Sequence, residues 1–418
     1  MIGGENMHMA FPKDFRWGTA TAAHQVEGNN INSDFWILEN LPETLFAEPS
    51  GDAIDHYHRY AEDIALLAGL GFNSYRFSIE WARIEPEEGH FSDAILNHYR
   101  RVLEVCREHH LKPMVTLHHF TSPRWLIAEG GWENQDTADK FARYCSKVIQ
   151  QLGDLIDMVC TINEVNIPMV INQIWLAGLD LQELGFMQAA KEVLGIAPSG
   201  KFSSFMFTPS EKGRNTILEA HRQAVAAIKA VRPDLPVGMT IAMDDLQAVD
   251  GGEAVRDLFR RELQDVYLQA AQGDDFLGVQ AYSRIRFAPT GRLAPPEGNE
   301  LTQMGYEFWP EAIEASLRYA NQKVHMPLVV TENGIATDDD TRREEYYRRA
   351  INRIAHCLND GLDIRGYYAW SSFDNFEWML GYNPRFGLIE VDRSNQNRII
   401  RPSAQCLGEI ARSNCIDV

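Results

Sequence analysis

The chain has 418 residues, 45% hydrophobic and 23% charged, with a formal net charge of −20. That is the composition of a globular protein with a large core, and its acidic balance argues against a nucleic-acid partner and against docking on an anionic membrane. The first ten residues hold no basic region followed by an apolar run, nothing approaches about eighteen consecutive apolar residues, and the cysteines form no Cys-x-x-Cys pair. The expectation is therefore a cytoplasmic protein with reduced thiols and no zinc site.

Short apolar runs alternate with longer amphipathic stretches along the whole chain. The predicted strands are 15–21, 74–79, 113–117, 159–163, 237–242, 276–279, 328–331 and 366–370. Helical patterns fall between them at 56–70, 94–109, 137–152, 215–231, 252–271, 309–322 and 342–358. Ala61, Ile64, Leu67 and Ala68 recur at helical spacing, as do Ile217, Ala220, Ala224 and Ile228. Alternating strands and helices imply parallel β-α-β units, and eight of them imply closure. The predicted fold class is α/β, a (β/α)8 TIM barrel, and with no linker visible it is expected to be a single domain over residues 1–418. Residues 165–212 and 280–308 interrupt the pattern after the fourth and sixth strands, on the face where such a barrel builds its site.

Polar and aromatic residues collect where the strands stop. The exits give His24, Gln25 and Glu27; Arg76; His118, His119 and Phe120; Asn163 and Glu164; Gln280 and Tyr282; Glu332 and Asn333; and Trp370 followed by the segment 374–378. Glu164 and Glu332 each close an apolar run and each stand beside an asparagine. Carboxylates that flank a bond are what acid–base and nucleophilic glycoside hydrolysis requires, and a pyranose needs aromatic faces and a hydrogen-bonding rim. Blander roles stay open at this point. Arg76 can be a buried ion pair holding the barrel, His118 and His119 can be metal ligands (though no third ligand accompanies them), and Trp370 and Trp378 can be core.

These residues carry a resemblance to glycoside hydrolase family 1, the β-glucosidase family with a TIM-barrel fold. The segments 11–28, 75–84 and 116–123 resemble its N-terminal, second-strand and third-strand signatures. Thr161-Ile162-Asn163-Glu164 resembles its acid/base motif, Thr331-Glu332-Asn333-Gly334 its nucleophile motif, and 370–387 its sugar-binding signature. The resemblance implies that Glu332 is the nucleophile and Glu164 the acid/base. Gln25, His119, Asn163, Glu377 and Trp378 would hold the sugar hydroxyls over a Trp370 platform, while Arg76 and Tyr282 flank Glu332. It further implies a retaining exo-β-glycosidase that releases a terminal non-reducing β-D-hexose from a small-molecule β-glycoside without cofactor or metal, its carboxyls about 5–5.5 Å apart. A β-galactosidase or β-fucosidase preference, a transglycosidase, and a catalytically silent sugar-binding barrel remain as alternatives. The natural aglycone and the oligomeric state stay open.

Three departures from the family stand out. Val165 replaces the usual proline, Gln280-Ala281-Tyr282 replaces Asn-Tyr-Tyr, and the chain is short. Glu377, Pro384 and Phe386 stand where phospho-glycoside cleaving members differ, so phosphorylated sugars are expected to be poor substrates. Ile167, Met169, Ile171, Trp175, Phe186, Phe202, Phe205, Met206 and Phe207 make the segment after the fourth strand unusually apolar. Either they line an entrance for an apolar aglycone or they pack a small core of their own.

Overall fold

A computed structural model describes residues 8–177, 179 and 181–417. At its centre are the parallel strands β1 Arg16–Thr21, β2 Ser74–Ser78, β3 Lys112–His118, β4 Met158–Ile162, β5, β6 Leu277–Gln280, β7 Leu328–Asn333 and β8 Ile364–Trp370. Strand β5 comes in two pieces, Val237–Gly238 and Thr240–Ala242. The first pairs with β4 and the second with β6, while β8 pairs with β1, so the ring closes. Every predicted strand is present within about two residues. It is a TIM barrel.

The surrounding helices are α1 His56–Leu70, α2 Asp93–Glu108, α3 Thr137–Leu152, α4 Glu211–Val231, α5 (253–270, with a π-helical turn at Arg261–Asp265), α6 Ala312–Lys323, α7 Asp340–Asn359 and α8 Pro402–Ser413. Local chemistry starts and stops them: the Ser92 and Ser210 side chains accept the Ile95 and Gly213 amides at the starts of α2 and α4. Helix α1 ends at Gly71, whose φ of 107° favours glycine. Helix α8 is not among the predicted helices; it begins at Pro402, which fits a first helical turn. In α1, Ile64 and Leu67 are buried as the spacing predicts, but Ala61 is exposed. Asp63 is buried there, held by His56 at 2.8 Å and Arg398 at 2.8 Å.

Alternation along the strands separates two packed regions. Side chains facing outward join the large core under the helices, while Ala20, Met114, Cys160, Val329 and Tyr368 fill the barrel's interior. Strand β7 breaks that alternation. Val330 lies opposite Val279, but the next partner pair is Glu332 with Gln280, so two residues of β7 face one of β6. This bulge turns Glu332 to the interior side. Just beyond it, a Cβ on Gly334 would lie 1.9 Å from the Trp370 carbonyl oxygen, so only glycine lets the ends of β7 and β8 approach so closely.

At the opposite face, His8–Ala10 pairs antiparallel with Cys415–Asp417, and the Trp17 indole donates to Asn414 at 2.9 Å. At the mouth, the loop after β8 is fixed by a buried bidentate pair. Arg401 donates to both Asp374 oxygens, at 2.9 and 2.8 Å, and the Gly387 amide donates to Asp374 at 2.9 Å. Arg401→Ala leaves the buried Asp374 carboxylate short of its main partner, and is expected to cost about 3 kcal/mol, read as a lower midpoint in denaturant unfolding.

Candidate active site

The exits of the strands enclose a cavity of about 290 Å³ that contains both Glu164 and Glu332. Behind its lining lies Arg76, fully buried on β2. Arg76 Nη1 donates to Glu332 Oε1 at 2.5 Å and to the Thr331 carbonyl at 3.2 Å, and its Nη2 donates to Asn163 Oδ1. Tyr282 Oη donates to the other Glu332 oxygen at 2.7 Å. Each carboxylate oxygen therefore has its own donor.

Glu164 is placed differently. Its backbone adopts a left-handed conformation with φ 42°, uncommon for a residue with a side chain. Thr240 on β5 stabilises this turn: its hydroxyl accepts the Glu164 amide at 2.8 Å and its carbonyl accepts the Val165 amide at 3.0 Å. A proline at 165 has no N–H to make the second bond, so the valine adds an anchor at this turn. Asn166 continues the attachment, donating to the Ala242 carbonyl at 2.8 Å and accepting the Ala242 amide at 2.9 Å. Among the described residues no hydrogen-bond donor reaches the Glu164 carboxyl, which faces the cavity.

These environments separate the two carboxyls electrostatically. Burial pushes the Glu164 carboxyl well above the usual range, and the negative charges of Glu332 and Asp244 push it further. Burial also raises Glu332, but Arg76, Tyr282 and Gln280 oppose the rise. The shared proton therefore belongs on Glu164. Burial and Glu332 drive the Glu377 carboxyl up to about 8, so in the free protein it is largely protonated at neutral pH.

The remaining expected residues line the same space or brace it. Gln25, on the short helix after β1, donates to the Phe376 carbonyl at 2.7 Å and to Glu377 at 3.4 Å. His119 stacks on Trp370, with ring centroids 5.8 Å apart, and lies 6.2 Å from Trp378. Burial holds the His119 imidazole neutral, with its pKa well below the ordinary value. Arg76 fixes the Asn163 amide with oxygen inward, leaving Nδ2 as a donor. Gln25 Oε1, His119 Nδ1 and Asn163 Nδ2 are buried without a hydrogen-bond partner among the described residues. Buried polar atoms of that kind are uncommon unless a ligand satisfies them.

Four strand-exit candidates, His24, Glu27, His118 and Asn333, lie outside the cavity lining. His24 contacts Asn30 and Glu39, and Glu27 pairs with Arg83 at 3.0 Å, outside the cavity lining. His118 bonds Ser122 at 3.0 Å and packs on Trp132 and Phe205, so the two histidines do not share a face as metal ligands would. Asn333 is no sugar contact: it donates to the Ala281 carbonyl at 2.6 Å, so it holds the end of β6 beside Glu332. Gln280 donates to Asn163 at 2.9 Å and to Thr240 at 3.1 Å, which puts its longer amide in the support under Glu164.

The apolar insertion divides between its two readings. Phe186, Phe202, Phe205 and Phe207 belong to the core, Trp175 lines the cavity, and Ile167, Ile171 and Met206 do both. Sequence analysis missed Thr240, Asp244 and Tyr306. The same exit survey extended to β5 would have found Asp244, two residues beyond the strand; Thr240 lies inside the strand and Tyr306 deep in a long loop, and neither carries a local signal.

The family model described as "Glycosyl hydrolase family 1" matches residues 7–256 and 290–416. The unmatched stretch contains β6 and the Gln280-Ala281-Tyr282 departure. "Beta-glucosidase A" of Acetivibrio thermocellus is 29% identical over 97% of this chain and 99% of its own length. Among solved structures, "beta-glycosidase BGL167" is 55% identical with a TM-score of 0.94, over 96% of this chain and 97% of that one. A "beta-glucosidase 1317" is 43% identical with a TM-score of 0.89, over 96% and 98%.

Because the guanidinium opposes the effect of burial, Arg76→Gln should move the Glu332 titration to higher pH. Carboxyl ¹³C NMR of glutamate-labelled protein reads this directly, and an unchanged titration would make Arg76 a structural brace alone.

Proposed function

The chain belongs to glycosyl hydrolase family 1, and from that membership and the site geometry we propose a retaining exo-β-glycosidase of the β-glucosidase type. The carrying observation is one cavity with two carboxyls in opposed settings: Glu332 braced by a guanidinium and a phenol, and Glu164 without a donor among the described residues. In this reading the 418-residue chain is one catalytic domain that acts in the cytoplasm on a small β-glycoside, using its own carboxyls and no cofactor. Cys106, Cys145, Cys160, Cys357 and Cys406 are free and buried, in keeping with a reducing compartment. No helix of the described residues is long and apolar enough to cross a membrane.

Glu332, ionised beside Arg76, attacks the anomeric carbon while protonated Glu164 gives its proton to the leaving oxygen. Formation of the glycosyl-enzyme removes the Glu332 charge. Since that charge is one of the forces raising Glu164, its carboxyl becomes more acidic and can take a proton from the attacking water. Gln25, His119, Asn163, Glu377 and Trp378 supply hydrogen-bonding groups for the non-reducing sugar, and Trp370 supplies its platform.

Glu332→Gly tests the assignment, with loss of turnover on 4-nitrophenyl β-glucoside as the expected result; undiminished turnover would remove the basis of the reading. Glu164→Gln should slow substrates with poor leaving groups by roughly 10²–10⁴-fold and activated aryl glucosides far less. Activity should follow a bell in pH. Protonation of Glu332 ends it on the acid side and deprotonation of Glu164 on the basic side, with both limbs displaced upward from ordinary carboxyl values by burial.

A 6-phospho-β-glucoside should show a lower kcat/KM than the plain glucoside. With Glu377 up to about 8, like-charge repulsion is not the main cause. The sequence has Pro384 and Phe386 where a phosphate would need cationic or hydroxyl partners. The apolar lining from Ile167, Ile171, Trp175 and Met206 favours an aryl or alkyl aglycone over a second sugar.

A further inference from the structure

We infer that a second cavity, adjoining the sugar pocket, is a subsite for the far end of the leaving group and binds a carboxylate there. The inference rests on the glycosidase reading above and specifies its aglycone. This cavity, of about 220 Å³, is contiguous with the first through Trp175, Asp244, Met304 and Tyr306, which line both. Its far wall carries Arg284, Arg286 and Arg292.

The wall is built by a hairpin, Arg284–Ala288 paired with Gly291–Leu293, in the insertion after β6. The first strand alternates, so Ile285 and Phe287 are buried while Arg284 and Arg286 share the opposite face. Arg284 is already neutralised: it pairs with Glu307 at 2.7 Å and lies 3.7 Å over the Trp309 ring. Arg292 donates to the Ile174 carbonyl, and neither it nor Arg286 has a carboxylate within ion-pair distance among the described residues, although Arg292 acts at longer range on Asp244 and Arg286 on Glu307. Against these two guanidiniums the lining offers one further carboxylate, Asp244, which accepts the Ser283 amide at 3.3 Å.

A cationic wall is unusual in a chain of net charge −20. Guanidinium groups match planar carboxylates through paired, charge-assisted hydrogen bonds. Trp175, Met304 and Tyr306 separate that wall from the sugar pocket with apolar and aromatic surface, a setting for a ring rather than for hydroxyls. The aglycone that fits both zones is aromatic near the glycosidic oxygen and carries its carboxylate at the distal end.

Two phenolic β-glucosides test this, alike except that a short para alkyl arm ends in a carboxylate in one and a primary amide in the other. The arm insulates the phenol, so both leave equally well. The expected kcat/KM ratio of acid to amide is roughly tenfold in dilute buffer and falls with added salt. Arg286→Gln and Arg292→Gln, singly and together, should bring the ratio toward one. A ratio is read within each variant, so a general loss of activity does not disguise it. A wild-type ratio near one, with both glucosides turned over, overturns the carboxylate subsite and leaves the glycosidase reading intact. A preference that survives in the variants overturns it as well. No turnover of either glucoside overturns the glycosidase reading and the subsite with it.

Discussion

A guanidinium enclosed in a barrel must be neutralised in place, because moving a charge out of water costs several kcal/mol unless it is paired and hydrogen-bonded. Arg76 meets that demand with two strand ends at once. One nitrogen reaches Glu332 at the exit of β7, and another reaches Asn163 at the exit of β4. The contact thus ties together, through β2, the two strands that carry the carboxyls. Their spacing is a property of the closed sheet, not of the loops above it.

From that anchor the two glutamates acquire unlike chemistry. Burial acts on both in the same direction. What separates them is the number of donors, two on Glu332 and none from the described residues on Glu164. The difference is maintained by groups that touch no substrate: Thr240 holds the turn at Glu164, Asn166 extends it along β5, and Asn333 positions the backbone leading to Tyr282. Much of the site is therefore support for the backbone around these carboxyls.

Strands and most helices were legible because their signals are periodic and local: apolar runs of barrel length, and helical spacing such as that of Ile217, Ala220, Ala224 and Ile228. Glu164 and Glu332 were legible because a carboxylate ending a buried strand is out of place unless it works. Other features depend on what meets across the barrel, which no local pattern records. Glu27 and His24 look like site residues at the end of β1, yet each found a partner outside the cavity. The aromatic residues after β4 looked alike in sequence, and tertiary packing sent Phe205 inward to His118 and Trp132 while Trp175 stayed at the entrance. Thr240 reads as a plain strand residue, and only the approach of β4 makes it a clamp.

The bulge in β7 stores the aim of Glu332 in the number of backbone units between Val330 and that residue, not in the identity of any side chain. Substitution libraries across this strand sample packing and charge but cannot rewrite that count. A single-residue insertion can, since with the bulge kept it adds one step to the alternation and turns the carboxylate toward the helices. In this part of the barrel, chain length is the heritable instruction, and insertions and deletions are the changes to which function is most exposed.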